Sequence, residues 1–147
     1  MRRRREKEKE KTHYFLCITI LLLFITLGYI YLKPNKILFE YFLSILLILV
    51  IICSQLFWSN PIRYSLYHKI DSIVAKITTI TFIFYTLFFK NKNRIHTIQY
   101  IILVFFTILF LAFSHIYSSY DWCCFRHILF HAFAHILGFV STLYAFL

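Results

Sequence analysis

The sequence predicts an all-α, polytopic transmembrane helical bundle of about five spans. Three observations carry this. Apolar stretches of about 20 residues recur along the chain, which is the length a helix needs to cross the hydrocarbon core. Hydrophobic residues make up 61% of the 147, and only two glycines and two prolines interrupt them. A soluble domain of that length could not bury so much apolar surface. The alternating strands of a barrel are absent, and inside lipid a helix satisfies its own backbone hydrogen bonds.

Residues 1–12 form a charged tail. Arg2 to Arg5, Lys7, Lys9 and Lys11 are followed by or interleaved with Glu6, Glu8 and Glu10. The net charge of the chain is +10, and much of it lies here. A basic run beside a first span is an orientation signal and a contact for anionic lipid heads. The spans themselves carry no basic stripe, so nucleic acid is not an expected partner. The first apolar run is long and lacks a clear small-residue cleavage site, so a cleaved signal peptide is not expected either.

Residues 13–147 read as a single domain. Span one runs from about His13 to Leu32, and Lys33-Pro34-Asn35-Lys36 is a tight loop. Span two runs from about Ile37 to Phe57, with Glu40 near its start. Ser59-Asn60-Pro61 ends it, because proline disfavours helix at the residue before it. Arg63 to Lys69 reads as a polar, aromatic connection. Span three covers Ile70 to Phe89, Lys90 to Arg94 is a basic loop, and span four covers Thr97 to Tyr117. Ser118 to Arg126 is a short connection, and span five closes the chain at Leu147.

Five spans put the two chain ends on opposite sides. With the tail in the cytosol, that side holds the seven basic residues of the tail plus Arg63, Lys69 and Arg126, ten in all. The other side holds five: Lys33, Lys36, Lys90, Lys92 and Arg94. The positive-inside rule therefore favours a cytosolic N-terminus, although the third loop opposes it. Whatever the orientation, the second and fourth loops share one face. Ser54, His68, Asp71, His115, Asp121, His127 and His131 all belong near it. Glu40 and His96 belong to the opposite face.

The last span opens with His127-Ile-Leu-Phe-His131, and His135 follows four residues on. Histidines four apart sit about 6 Å apart on one helical face and can hold one metal ion through two ring nitrogens. His127 and His135 are about 12 Å apart along the axis, too far to share an ion. The plain alternative is a set of neutral histidines bonded to backbone or water, or an interfacial belt with Tyr120 and Trp122. Asp71 heads span three, where an acid complements the helix dipole. It could equally orient a ligand histidine or a water. His68 shares its face if the helix begins by Tyr67. Ser54 is a hydroxyl near the end of span two, and bonding back to its own helix would explain it. Cys17 and Cys53 read as packing thiols. The adjacent Cys123 and Cys124 have no zinc-finger or redox spacing.

Ser54, Asp71 at the head of the next span, and His127-x-x-x-His131 on the last span together resemble the pattern of the CREST superfamily. That group includes alkaline ceramidases, adiponectin-receptor-type and haemolysin-III-like proteins and GPI-remodelling lipases. The resemblance implies a zinc ion held by three histidines, with a water that hydrolyses a lipid amide or ester. It implies His127 and His131 as ligands, Asp71 as the orienting acid and Ser54 as a partner of the water or substrate. The family's further histidine, four residues after the serine, is Trp58 here. His68 is the nearest substitute, with His115 or Asp71 as alternatives. Family members usually have seven spans.

The expectation is therefore a zinc-dependent membrane hydrolase, with a lipid substrate entering sideways between helices. No other nucleophile constellation competes with it: there is no G-x-S-x-G and no second carboxylate pair. Two other classes stand beside it. One is a non-enzymatic multi-pass protein for assembly, membrane shaping or partner binding, which would include a degenerate relative of the superfamily. The other is a haem or metal-transfer protein, disfavoured because the histidines gather at one end of the bundle.

Overall fold

The computed structural model describes residues 14–90 and 93–147. The basic tail expected at 1–12 and the expected first span residue, His13, lie outside them, as do Asn91 and Lys92. The described residues are helical, with no strand among them. Five helices are long and apolar enough to cross a membrane: α1 Tyr14–Leu32, α2 Leu38–Ser59, α3 Leu66–Phe89, α4 Arg94–Tyr120 and α5 Phe125–Phe146. This is a multi-pass, integral membrane architecture.

Helix starts explain where the sequence boundaries shift. α3 begins at Leu66 and not at Ile70, because the Ser65 side chain accepts the His68 amide. α4 begins at Arg94 and not at Thr97, because Asn93 Oδ1 accepts the His96 amide at 2.9 Å. At α5 the Cys124 sulfur takes the same part for the His127 amide. Each cap satisfies an amide that the first helical turn leaves without a partner. All three helices thus carry histidine at their third residue. At the head of α2 the third residue is Glu40, whose carboxylate accepts the Ile37 amide at 3.2 Å.

The helices pack as two hairpins, α2 with α3 and α4 with α5, and α1 touches both α2 and α5. Phe110, Phe113 and Tyr117 of α4 stack around Phe130 of α5. Gln55 of α2 donates to the Cys17 carbonyl of α1 at 2.6 Å. Two apolar clusters form the core. One contains Leu16, Ile51, Phe57, Trp58, Ile128 and Ala132, and the other Ile30, Leu43, Leu47, Phe82, Tyr85 and Phe146. Buried hydroxyls separate them in α1 (Thr26), α3 (Thr78), α4 (Thr107) and α5 (Ser141). Outside, isoleucines and phenylalanines such as Ile18, Ile52, Ile80 and Phe105 are exposed, as lipid-facing residues should be.

α3 closes in a π-helical turn, Tyr85–Phe89. Its wider winding lets the consecutive residues Tyr85 and Thr86 both face inward. Tyr85 donates to Glu40 at 2.5 Å, and Lys33 pairs with the same carboxylate. Glu40 is thus buried but fully partnered at one end of the bundle.

Candidate functional site at the α2, α3 and α5 end

The second and fourth loops share a face, as expected. Trp122 Nε1 donates to the Pro61 carbonyl at 2.9 Å, which ties the two loops together. Beneath them, the structure brings Ser54 and Asp71 into contact. The Ser54 hydroxyl donates to Asp71 Oδ1, and both residues are buried. Ser54 therefore does not simply bond back to its own helix. Its hydrogen goes to the acid that the sequence placed beside it.

The five histidines of this end are arranged differently from the three-ligand expectation. Helix α3 begins before Tyr67, so His68 does lie one turn ahead of Asp71. Its ring, however, stacks on Phe57 with centroids 4.8 Å apart. The Trp122 indole sits between the His68 and His127 rings, at 5.3 Å and 4.9 Å. Trp58 packs against His131 at 4.8 Å and against His127 at 6.0 Å. His115, the alternative third ligand, is exposed. Among the described residues no three His, Cys, Asp or Glu side chains lie where they could hold one metal ion. The Trp122 indole separates His68 from His127, whereas the His127 and His131 rings meet edge to face at 6.0 Å.

Hydrogen bonds fix which face of each ring is available. His127 Nδ1 accepts the Cys123 amide at 3.1 Å, and His68 Nδ1 accepts the Tyr64 amide at 3.1 Å. A neutral imidazole has one protonated nitrogen. With Nδ1 accepting, both rings carry their hydrogen on Nε2, which then donates. A metal ligand must offer a lone pair. His131 and His135 meet hydroxyl groups instead. Ser114 Oγ lies 3.3 Å from the His127 carbonyl and 3.0 Å from His131 Nδ1. Thr19 Oγ1 likewise lies 3.0 Å from the Leu16 carbonyl and 2.9 Å from His135 Nδ1. The donor set implied for zinc, His68, His127 and His131, therefore supplies at most one ring with its lone pair free. The residues as placed do not fit a three-histidine zinc ion.

Tyr64 and Cys123 explain why His68 and His127 are held this way. Both residues have left-handed backbone, with φ 64° and 58°. That conformation costs a non-glycine residue about 1–2 kcal/mol. In each case the following residue caps a helix, and the histidine at its third position takes the amide of the strained residue. The arrangement works like a capping box in which imidazole replaces the usual carboxylate or amide.

Sequence reasoning missed Ser114, Thr19 and the role of Trp58. A readable signal existed for the first two. Polar residues recur every seven positions within the apolar spans, as Thr19 and Thr26, Asp71 and Thr78, and Thr107 and Ser114. Seven residues are two helical turns, so each pair shares one inward face. The polar groups therefore do not all gather at one end. Hydroxyls continue to the middle of the bundle, and Tyr85 with Glu40 occupies the far end.

A scan against family models finds no match to this chain, and neither do searches of curated proteins and of solved structures. Its class therefore rests on its own helices and side chains.

Proposed function

We propose that this chain is a non-catalytic, multi-pass membrane protein that keeps the ground plan of a CREST-like hydrolase and works by binding. The observation that carries this is the pair of backbone amides, Tyr64 and Cys123, held by His68 and His127. Imidazoles used to close helix starts present N–H groups where a hydrolytic zinc would need lone pairs. Trp58, at the position of the family's further histidine, packs a buried indole against the His127 and His131 rings.

Binding has a place on the same face. An open groove of about 280 Å³ is lined by Tyr64, His68, Lys69, Ser72 and Ile73. Arg63 lies over the Tyr64 and Trp122 rings at its edge. Cationic and hydroxyl groups at a membrane surface suit the anionic head of a lipid. The test is turnover of a panel of lipid amides and esters by the purified protein with added zinc. The expected result is no turnover above His131→Ala. Turnover that His131→Ala abolishes would overturn the proposal.

One observation favours the metal-dependent lipid hydrolase as a second reading. Ser54 and Asp71, the two residues to which the resemblance gives roles beside the metal ligands, are bonded to each other and buried. That reading requires His68 and His127 to release their amides and turn.

A further inference from the structure

Lys76 is a lysine exposed on the outer face of α3, well inside the span. It follows Lys69 by two helical turns, about 10.5 Å along the axis. Among the described residues no other exposed charged side chain lies so deep in a span. Neither Lys69 nor Lys76 pairs with an acid among them. The two carboxylates of the spans, Glu40 and Asp71, are buried and bonded elsewhere. A lysine that faces lipid at this depth needs an anion or a route back to the interface.

The helix supplies both. Ser72 is three residues after Lys69 and four before Lys76. Residues at those spacings are neighbours on a helix, with Cβ atoms about 5–6 Å apart. The open groove at the loop face is lined by Lys69, Ser72 and Ile73, and the last two stand one turn above Lys76. Cα–Cβ bonds lean towards a helix N-terminus, which for α3 is the groove end. A lysine stem that leans this way lies on apolar surface and carries its amine towards Ser72.

These donors select a ligand. A phosphate bonded to the Ser72 hydroxyl has a lysine one turn away on each side. No acid lines the groove. A phosphomonoester brings three terminal oxygens and up to two negative charges, which suit two amines and a hydroxyl. It has no further alcohol on the phosphorus, so it can sink below the level of neighbouring head groups. A choline ester would instead set a cation beside Lys69. Beneath the groove, Ile73, Ile77 and Ile80 are exposed on α3 and offer acyl chains an apolar path. A soluble phosphate has no chains to lay there.

We infer that the groove seats a phospholipid whose monoester phosphate is drawn below the head-group level and accepts hydrogen bonds from Lys69, Ser72 and Lys76. This rests on the reading of the groove as a site for the anionic head of a lipid.

The test is native mass spectrometry of the full chain in detergent micelles. It is titrated with phosphatidic acid, phosphatidylglycerol and phosphatidylcholine of the same chain length. The expected result is one retained phosphatidic acid, bound several-fold more tightly than the other two. Lys76→Gln should weaken it about tenfold, the worth of one charge-assisted hydrogen bond, and Lys76→Arg should keep most of it. Arg94→Gln removes a charge at the opposite membrane face and should change nothing. Phosphatidic acid held no better than phosphatidylcholine would overturn the groove as an anionic-lipid site, and this inference with it. Three results would overturn the inference alone. One is equal affinity for phosphatidic acid and phosphatidylglycerol. Another is equal loss in Lys76→Gln and Arg94→Gln, which would reduce the effect to net charge. The third is binding weakened by Lys69→Gln but not by Lys76→Gln, which would leave Lys76 to an acidic helix of another protein.

Discussion

The Cys123 amide donates to His127 Nδ1 over 3.1 Å, and this contact decides what His127 is for. It makes the ring an acceptor towards its own helix start and a donor towards the bundle. Replacing His127 with Ala leaves a buried amide without a partner. We expect a loss of about 1–3 kcal/mol in unfolding from detergent micelles. His127→Gln can still offer a carbonyl oxygen and should recover most of it. Equal losses in the two variants would show that the amide bond is not what the ring supplies.

Tyr64 holds a left-handed backbone with its ring largely exposed. Glycine adopts that conformation without strain. Tyr64→Gly should therefore leave stability unchanged or raise it by up to about 1 kcal/mol, against the usual penalty for adding glycine. A thermal melt beside that of Tyr67→Gly, one residue inside α3, is the comparison. The helical site should lose about 1 kcal/mol. A larger loss at Tyr64 would contradict the strain assignment.

Ser54 and Asp71 form one buried unit. Ser54→Ala strands a carboxyl group, whereas Asp71→Asn keeps an acceptor for the hydroxyl. A double-mutant cycle with Ser54→Ala and Asp71→Ala should give a coupling of about 0.5–2 kcal/mol, the range seen for polar pairs inside membrane bundles. Additive losses would mean that the two side chains act separately.

The five-span topology predicts accessibility. In a background lacking native cysteines, Arg63→Cys and Asp121→Cys should react with an impermeant maleimide from one side of sealed vesicles. Lys36→Cys should react from the other. Labelling of Arg63→Cys and Lys36→Cys from the same side would break the span count.

The fold was legible because apolar length is a strong signal. Five stretches near 20 residues, broken at Lys33-Pro34 and Asn60-Pro61, allow few other architectures. The shared face of Ser54, Asp71 and His127 followed from counting spans, and the Pro61–Trp122 contact agrees with it. The tautomers were not legible. Whether His68 donates or accepts depends on the backbone at Tyr64, which nothing in its side chain announces. The seven-residue recurrence of hydroxyls was visible but weak, since threonine and serine in a span commonly bond only their own helix. The sequence shows Trp58 where a histidine would complete the family pattern, but only packing reveals that its indole lies against two imidazoles.

The central claim is that His68 and His127 serve helix starts and not a metal. Metal content of detergent-purified protein, from cells grown with zinc, tests it most directly. We predict no stoichiometric zinc in the wild type, and the same content in the His127→Ala/His131→Ala double variant. Zinc bound stoichiometrically in the wild type and lost in the double variant would contradict the account. It would place a metal centre on α5.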